Sequence, residues 1–173
     1  RLLQLINQLL DLSKMESGEY KLNYRSGNII NETIALSQSF QSLADQNQVE
    51  LIINKDLADV ELAKSFNYSQ EALASIIANL LSNSFKFTPA GGVITVDILI
   101  DSPAIFRIQV SDTGKGIPAA SLPKIFDRFY QVDQTDQRSY EGSGIGLALV
   151  KELALIHGGD VSVESIDGKG CVF

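Results

Sequence analysis

Residues 142–150 read GSGIGLALV: glycine at three alternating positions, then a run of aliphatic side chains. Three readings compete for this stretch. A dinucleotide fingerprint needs G-x-G-x-x-G directly after a buried strand. Here the spacing is G-x-G-x-G, and the residues before it, DQTDQRSYE, are polar, so that reading fails on spacing and on context. Close helix packing through small residues accounts for one or two glycines. A phosphate cradle accounts for all three: glycines let backbone N–H groups approach an anion, and a helix N-terminus adds partial positive charge. On this stretch alone the packing and cradle readings both stay open.

Three further stretches carry candidate chemistry. In NLLSNSFKFTP (79–89), Asn79, Asn83 and Lys86 are spaced 4 and 3 apart and share one face of an otherwise apolar helix. Amides on such a face are costly unless paired. Capping accounts for one of them; hard-cation ligation by the amide oxygens, with Lys86 as a point charge on a phosphate, accounts for the set. In SDTGKGIP (111–118), Asp112 closes a strand and opens a Gly-x-Gly turn. That is either a plain surface turn or a carboxylate placed to accept a hydrogen bond from a purine amino group. In KIFDRFYQ (124–131), Phe126 and Phe129 bracket Asp127 and Arg128 inside a stretch without clear period, roughly 112–141. The aromatics either pin that stretch to the core or belong to a functional lid.

The bulk properties bound the rest. A chain of 173 residues holds one domain with a core and an appendage. The formal net charge of −7 argues against nucleic acid or an anionic membrane as partner. The single cysteine, Cys171, cannot form an internal disulfide and points to a reducing compartment. No apolar run is long enough to span a bilayer. Arg1 at the start and the strand-like CVF at the end read as a piece of a longer chain.

Periodicity places helices at 1–17, 28–46, 69–86 and 143–157. Strands are expected at 20–24, 49–53, 60–64, 91–100, 104–110, 161–165 and 171–173, the later ones paired as hairpins. The first helix carries a heptad seam of Leu2, Leu5, Leu9 and Leu12, which calls for helical partners beyond these residues, a core helix of the same domain being the alternative. The irregular alternation of elements predicts an α+β fold: a two-layer sandwich with a mixed, mostly antiparallel sheet, helices on one face, and an N-terminal helix segment.

The four stretches, in this order, resemble the ATP-binding catalytic domain of two-component sensor histidine kinases. That domain lies within the wider Bergerat fold shared with DNA gyrase and heat-shock chaperone ATPases. NLLSNSFKF is similar to the N box, DTGKGIP to the first G box, FDRFYQ to the F box and GSGIGLAL to the second G box. The resemblance covers about residues 19–173, with a lid at about 112–146. Residues 1–18 resemble the end of the second helix of the dimerisation and phosphoacceptor bundle.

The resemblance implies ATP and Mg²⁺ as ligands. Asn83 then coordinates Mg²⁺ with Asn79 assisting, Lys86 reaches the phosphates, and Phe87 lies by the base or ribose. Asp112 binds the adenine amino group, and Gly114, Gly116 and Ile117 shape the adenine pocket. Gly142, Gly144 and Gly146 let the lid close over the phosphates, with Ser143, Ile145 and Leu147 at hand and Arg128 as a further phosphate contact. The ATPases of the superfamily carry a glutamate as general base where this chain has Asn79, and a neutral amide is far too weak a base for that role. The resemblance therefore implies slow hydrolysis and donation of the γ-phosphoryl group to a histidine. The acceptor histidine is expected upstream of residue 1, because the only histidine, His157, reads as a helix C-terminal residue.

The expected partners are the chain's own dimerisation and phosphoacceptor domain and a response regulator receiver domain, with no nucleic acid. The resemblance implies a homodimeric parent. It leaves open whether this piece is a monomer, and whether the cytoplasmic domain belongs to a parent anchored in the inner membrane. A nucleotide-sensing interaction module without phosphotransfer is the alternative. Ser69 and Ser75 depart from the family pattern at the start of the N-box helix; Ser75 is expected to lie away from the metal-binding stripe.

Overall fold

The computed structural model describes residues 2–55, 66–102, 105–132 and 143–173. The expected strand at 60–64 and Gly142 lie outside these residues. In chain order the elements are α1 (Leu2–Glu16), β1 (Tyr24–Gly27), α2 (Ile29–Gln38), α3 (Gln41–Asn47), β2 (Glu50–Lys55), β3 (Phe66–Ser69), α4 (Gln70–Phe87), β4 (Val93–Ser102), β5 (Ile105–Asp112), α5 (Gly146–Ile156), β6 (Glu164–Ile166) and β7 (Gly170–Val172).

A five-stranded sheet runs in the order β2-β4-β5-β7-β6, with β2 parallel to β4 and the other pairs antiparallel. This is the mixed, mostly antiparallel α+β sandwich the sequence predicts. The pleat of β4 shows why the sheet needs helices. Ile94, Val96 and Ile98 alternate along the strand and are fully buried, each contributing about 1.5–3 kcal/mol by leaving water. They share a core with Leu73, Ile77, Leu80 and Leu81 of α4, spaced to form one helix face. Ser69, in extended conformation, caps α4 by accepting from Ala72 N–H at 3.4 Å. The helix ends at Phe87 because Thr88 precedes Pro89 and is held extended, φ −94° and ψ 120°.

Two expectations are corrected. The helix over 28–46 is two helices. Ser37 and Ser39 bond back to the carbonyls of Thr33 and Leu36, which bends helices. The break at Phe40 lets its ring stack on Phe85, 6.1 Å between centroids. The first strand is Tyr24–Gly27 rather than 20–24, and it pairs with β3, a strand that periodicity does not reveal. The C-terminal part of α1 docks on the domain: Leu12 and Met15 are buried against Ala72, Ile145, Leu149 and Leu153. Ile6, Leu9 and Leu10 on the same helix remain exposed. Gly18, at φ +72°, follows the end of α1.

Candidate functional site

Helix α4 joins the two ends of the site. At its middle, Asn79 donates from Nδ2 to the Ser75 carbonyl at 2.8 Å. That commits the nitrogen and makes Oδ1 the end of the amide that faces α5. Gly146, the first residue of α5, lies against that oxygen: a Cβ there would stand 2.7 Å from Asn79 Oδ1. The glycine is thus a steric requirement of the Asn79 amide. Ser75 touches Asn79 directly, with its Oγ 3.4 Å from Nδ2, and does not lie away from the stripe as the sequence implied. Asn83, Lys86 and Phe87 follow on the same helix, each half-buried.

At the other end stands Asp112, the last residue of β5 and 9% exposed. Its Oδ1 accepts from Gly114 N–H at 2.9 Å, and its Oδ2 accepts from the buried Ser84 hydroxyl of α4 at 3.4 Å. Burial pushes this carboxyl above its ordinary value, against the opposing pull of hydrogen bonds from the Gly114 and Cys171 backbone and the Ser84 side chain. The early end of α4 matters here. The Phe87 carbonyl is one of the orphan acceptors of the last helical turn, and Lys115 N–H donates to it at 3.3 Å. A Cβ on Gly114 would meet that same carbonyl oxygen at 2.6 Å. The Gly-x-Gly turn therefore seats on the end of the Asn-bearing helix. The Lys86 and Lys115 ammoniums approach the Phe87 ring, 4.7 and 4.4 Å from its centroid. A cavity of about 390 Å³ lined by Lys86, Phe87, Gly114 and Lys115 opens beside it.

The remaining expected residues divide between these ends. Gly116, at φ +72°, lies against the Ile166 carbonyl, and Ile117 N–H donates to Ser165 Oγ at 2.8 Å. Gly144, at φ +67°, accepts from Phe129 N–H at 2.9 Å and packs on the Phe129 backbone. Ser143 Oγ accepts from Ile145 N–H at 3.3 Å. Ile145 is buried under α1, and Leu147 packs at the edge of the main core. Phe129 itself is 62% exposed, so its side chain does not pin the stretch to the core, while Phe126 is half-buried and Ile125 is buried. Arg128 is half-buried on the same turn. His157 ends α5, with Nδ1 2.8 Å from the Leu153 carbonyl and Nε2 accepting from Ser69 N–H at 3.3 Å. These partners make Nδ1 the protonated nitrogen.

Ser84, Ser165 and Gly170 escape sequence reasoning. A Cβ on Gly170, at φ +95°, would collide with the Asp112 carbonyl oxygen. Only the strand register shows this, since Asp112 sits opposite Cys171 in the β5–β7 pair. Among the described residues no cluster of three or more His, Cys, Asp or Glu is placed to hold a metal ion, and no helix is long and apolar enough to cross a membrane.

The fold and these contacts define a class of domain: an α+β sandwich in which two glycine turns close on the polar face of one helix. Residues 68–173 match the family model described as histidine kinase-, DNA gyrase B-, and HSP90-like ATPase, and the chain belongs to that family. It is 39% identical over 174 residues to the sensor histidine kinase TmoS of Ectopseudomonas mendocina, covering 99% of this chain and 17% of TmoS. It is 37% identical over 171 residues to the sensor histidine kinase WalK of Bacillus subtilis (strain 168), covering 98% of this chain and 27% of WalK. The chain thus spans a minor part of the relatives it matches. Full-length ShkA, crystallised in complex with AMPPNP, superposes with a TM-score of 0.82 at 24% identity, over 99% of this chain and 34% of that one. At that identity the likeness speaks to the fold. The domain is of the ATP-binding type found in sensor histidine kinases.

Proposed function

We propose that this chain binds ATP with Mg²⁺ and donates the γ-phosphoryl group to a histidine on a separate dimerisation and phosphoacceptor domain, in two-component signalling. The observation that carries the reading is that one helix serves both ends of the site. Ser84 of α4 holds the Asp112 carboxylate, and Asn79 of α4 faces the start of α5 across Gly146. A buried carboxylate at one end is the acceptor an adenine amino group requires. Glycine turns and two lysines at and beyond the Phe87 ring suit a polyphosphate.

The donor set also fits the metal. Mg²⁺ takes oxygen ligands and keeps several from water and phosphate. With its nitrogen committed to Ser75, Asn79 presents an oxygen, and Gly146 leaves room for it. Asn83 and Asn79 would hold the ion, which neutralises phosphate charge when bound. Asn79 cannot take a proton from water, so hydrolysis is slow and the γ-phosphoryl group is kept for a positioned nucleophile. Lys86 holds the phosphates, Gly144 and Gly146 admit them close to backbone, and Arg128 and Gly142 belong to the same lid. Residues 1–18 then form the end of a bundle helix, with the catalytic domain following from 19. The cognate receiver domain acts downstream.

Calorimetric titration of an ATP analogue that resists hydrolysis, with and without Mg²⁺, tests the pocket. Binding that needs Mg²⁺ in the unaltered protein and loses that need in Asn83→Ala supports the assignment. Supplying the phosphoacceptor domain in trans with γ-labelled ATP tests transfer. Base-stable label on that domain supports the kinase reading; nucleotide binding without any transfer favours an interaction module.

A further inference from the structure

The β6–β7 hairpin reads in the sequence as an ordinary turn, yet it grips the Gly-x-Gly turn at several points. Gly168 N–H donates to the Lys115 carbonyl at 2.6 Å. Gly116 lies so close to the Ile166 carbonyl that a Cβ would overlap it. Gly170 stands in the same relation to the Asp112 carbonyl. At the centre of these contacts is Ser165 of β6. Its Oγ accepts from Ile117 N–H at 2.8 Å, donates to the Gly170 carbonyl at 2.7 Å and lies 3.2 Å from Cys171 Sγ. A serine hydroxyl has one proton and two lone pairs. The proton goes to Gly170, so the Cys171 thiol is the donor in the third contact, and the hydroxyl is then fully used.

A saturated hydroxyl does not take a ligand. It fixes what surrounds it. Cys171 is the register partner of both Asp112 on β5 and Ser165 on β6, and its backbone holds the Asp112 carboxyl. Ser165 therefore links the two sides of the turn, directly to Ile117 after it and by way of Cys171 to Asp112 before it.

We propose that Ser165 is a positioning residue for purine selection, its hydroxyl setting the separation between the Asp112 carboxylate and the Ile117 wall. The inference rests on the nucleotide reading given above. Loss of the hydroxyl strands the Ile117 N–H and the Gly170 carbonyl, and releases the turn that Asp112 opens.

The test compares the unaltered chain, Ser165→Ala and Ser165→Thr by titration with ATP and with inosine triphosphate, which presents a carbonyl where adenine has its amino group. Ser165→Ala is expected to bind ATP about tenfold more weakly and inosine triphosphate little changed, narrowing the preference, while the Mg²⁺ dependence stays. Ser165→Thr keeps the hydroxyl and is expected to restore the preference. A merely structural role would weaken both nucleotides together. Equal loss for both, or an unchanged preference in Ser165→Ala, overturns the inference and leaves the nucleotide reading standing; no binding to the unaltered chain overturns both. Should Ser165→Ala not fold, amide exchange decides: the Ile117 N–H of the unaltered chain must exchange slowly, and exchange at the rate of an open loop refutes the proposal.

Discussion

Replacing Asp112 by Asn separates what the fold wants from what the site wants. Asn is nearly isosteric. Its Oδ1 can keep the Gly114 N–H at the 2.9 Å now observed, and its Nδ2 can donate to Ser84 Oγ, which accepts as readily as it donates. These two contacts therefore survive, and Oδ1 remains the one acceptor for the Cys171 backbone N–H. Burial raises the native carboxyl above its ordinary 3.8, so the unfolded chain releases this proton first. Stability from this group is complete below pH 3.8 and is lost as pH rises through the raised native value. Asp112→Asn removes that loss. Its stability relative to the unaltered protein must grow as pH rises from about 4 toward neutrality.

Binding moves the other way. A hydrogen bond to a charged acceptor contributes about 1.5–3 kcal/mol, so loss of the carboxylate weakens ATP by about 10- to 150-fold. An amide nitrogen facing the purine should also favour a carbonyl at that position, as in inosine triphosphate. Urea melts from pH 4 to 8 and titrations at pH 7 measure the two effects. An Asn variant that binds ATP as tightly as the unaltered protein, or that loses relative stability as pH rises, would refute the reasoning.

Gly146→Ala puts a better helix former at the start of α5 but sets a methyl 2.7 Å from Asn79 Oδ1. Thermal stability is expected to hold while Mg²⁺-dependent nucleotide affinity falls about tenfold; unchanged calorimetric affinity would count against Asn79 as a ligand. Gly170→Ala combines a backbone at φ +95° with a methyl driven into the Asp112 carbonyl. It should destabilise by about 3 kcal/mol, read as a lower urea midpoint; a midpoint within error of the unaltered protein would show that the turn yields freely. Asn79→Glu supplies the absent base. Phosphate release from ATP should rise in a coupled assay, and a rate no different from the unaltered chain would remove Asn79 as the reason for slow hydrolysis.

Much of this was legible in the chain. The 3.6-residue period of 69–86 places α4 within a residue at each end. The alternation of 91–100 and 104–110 gives the central hairpin. Both are local signals: a helix face and a pleat repeat within a few residues, so neighbours in sequence report them. The Asn-Asn-Lys stripe is equally local, as is Asp112 at the end of a strand.

Other features are not local. β3 is short and reads as a strand only beside β1. The helix over 28–46 breaks where Phe40 finds Phe85, a partner 45 residues on. The three glycines of GSGIGLALV look alike in sequence. In the fold, Gly146 yields space to Asn79 and Gly144 to the Phe129 backbone, two requirements set by segments that approach only in three dimensions. Ser165 is the clearest case. Nothing adjacent marks it, because its role depends on strand register bringing Ile117, Gly170 and Cys171 around one oxygen. The sequence by itself determined which residues carry charge, amide or glycine and on which face of which element they stand, because period and turn chemistry act over a few residues. Tertiary structure alone decided which of those groups meet, because hydrogen bonds and steric exclusion act between atoms a few ångströms apart, however far apart they lie along the chain.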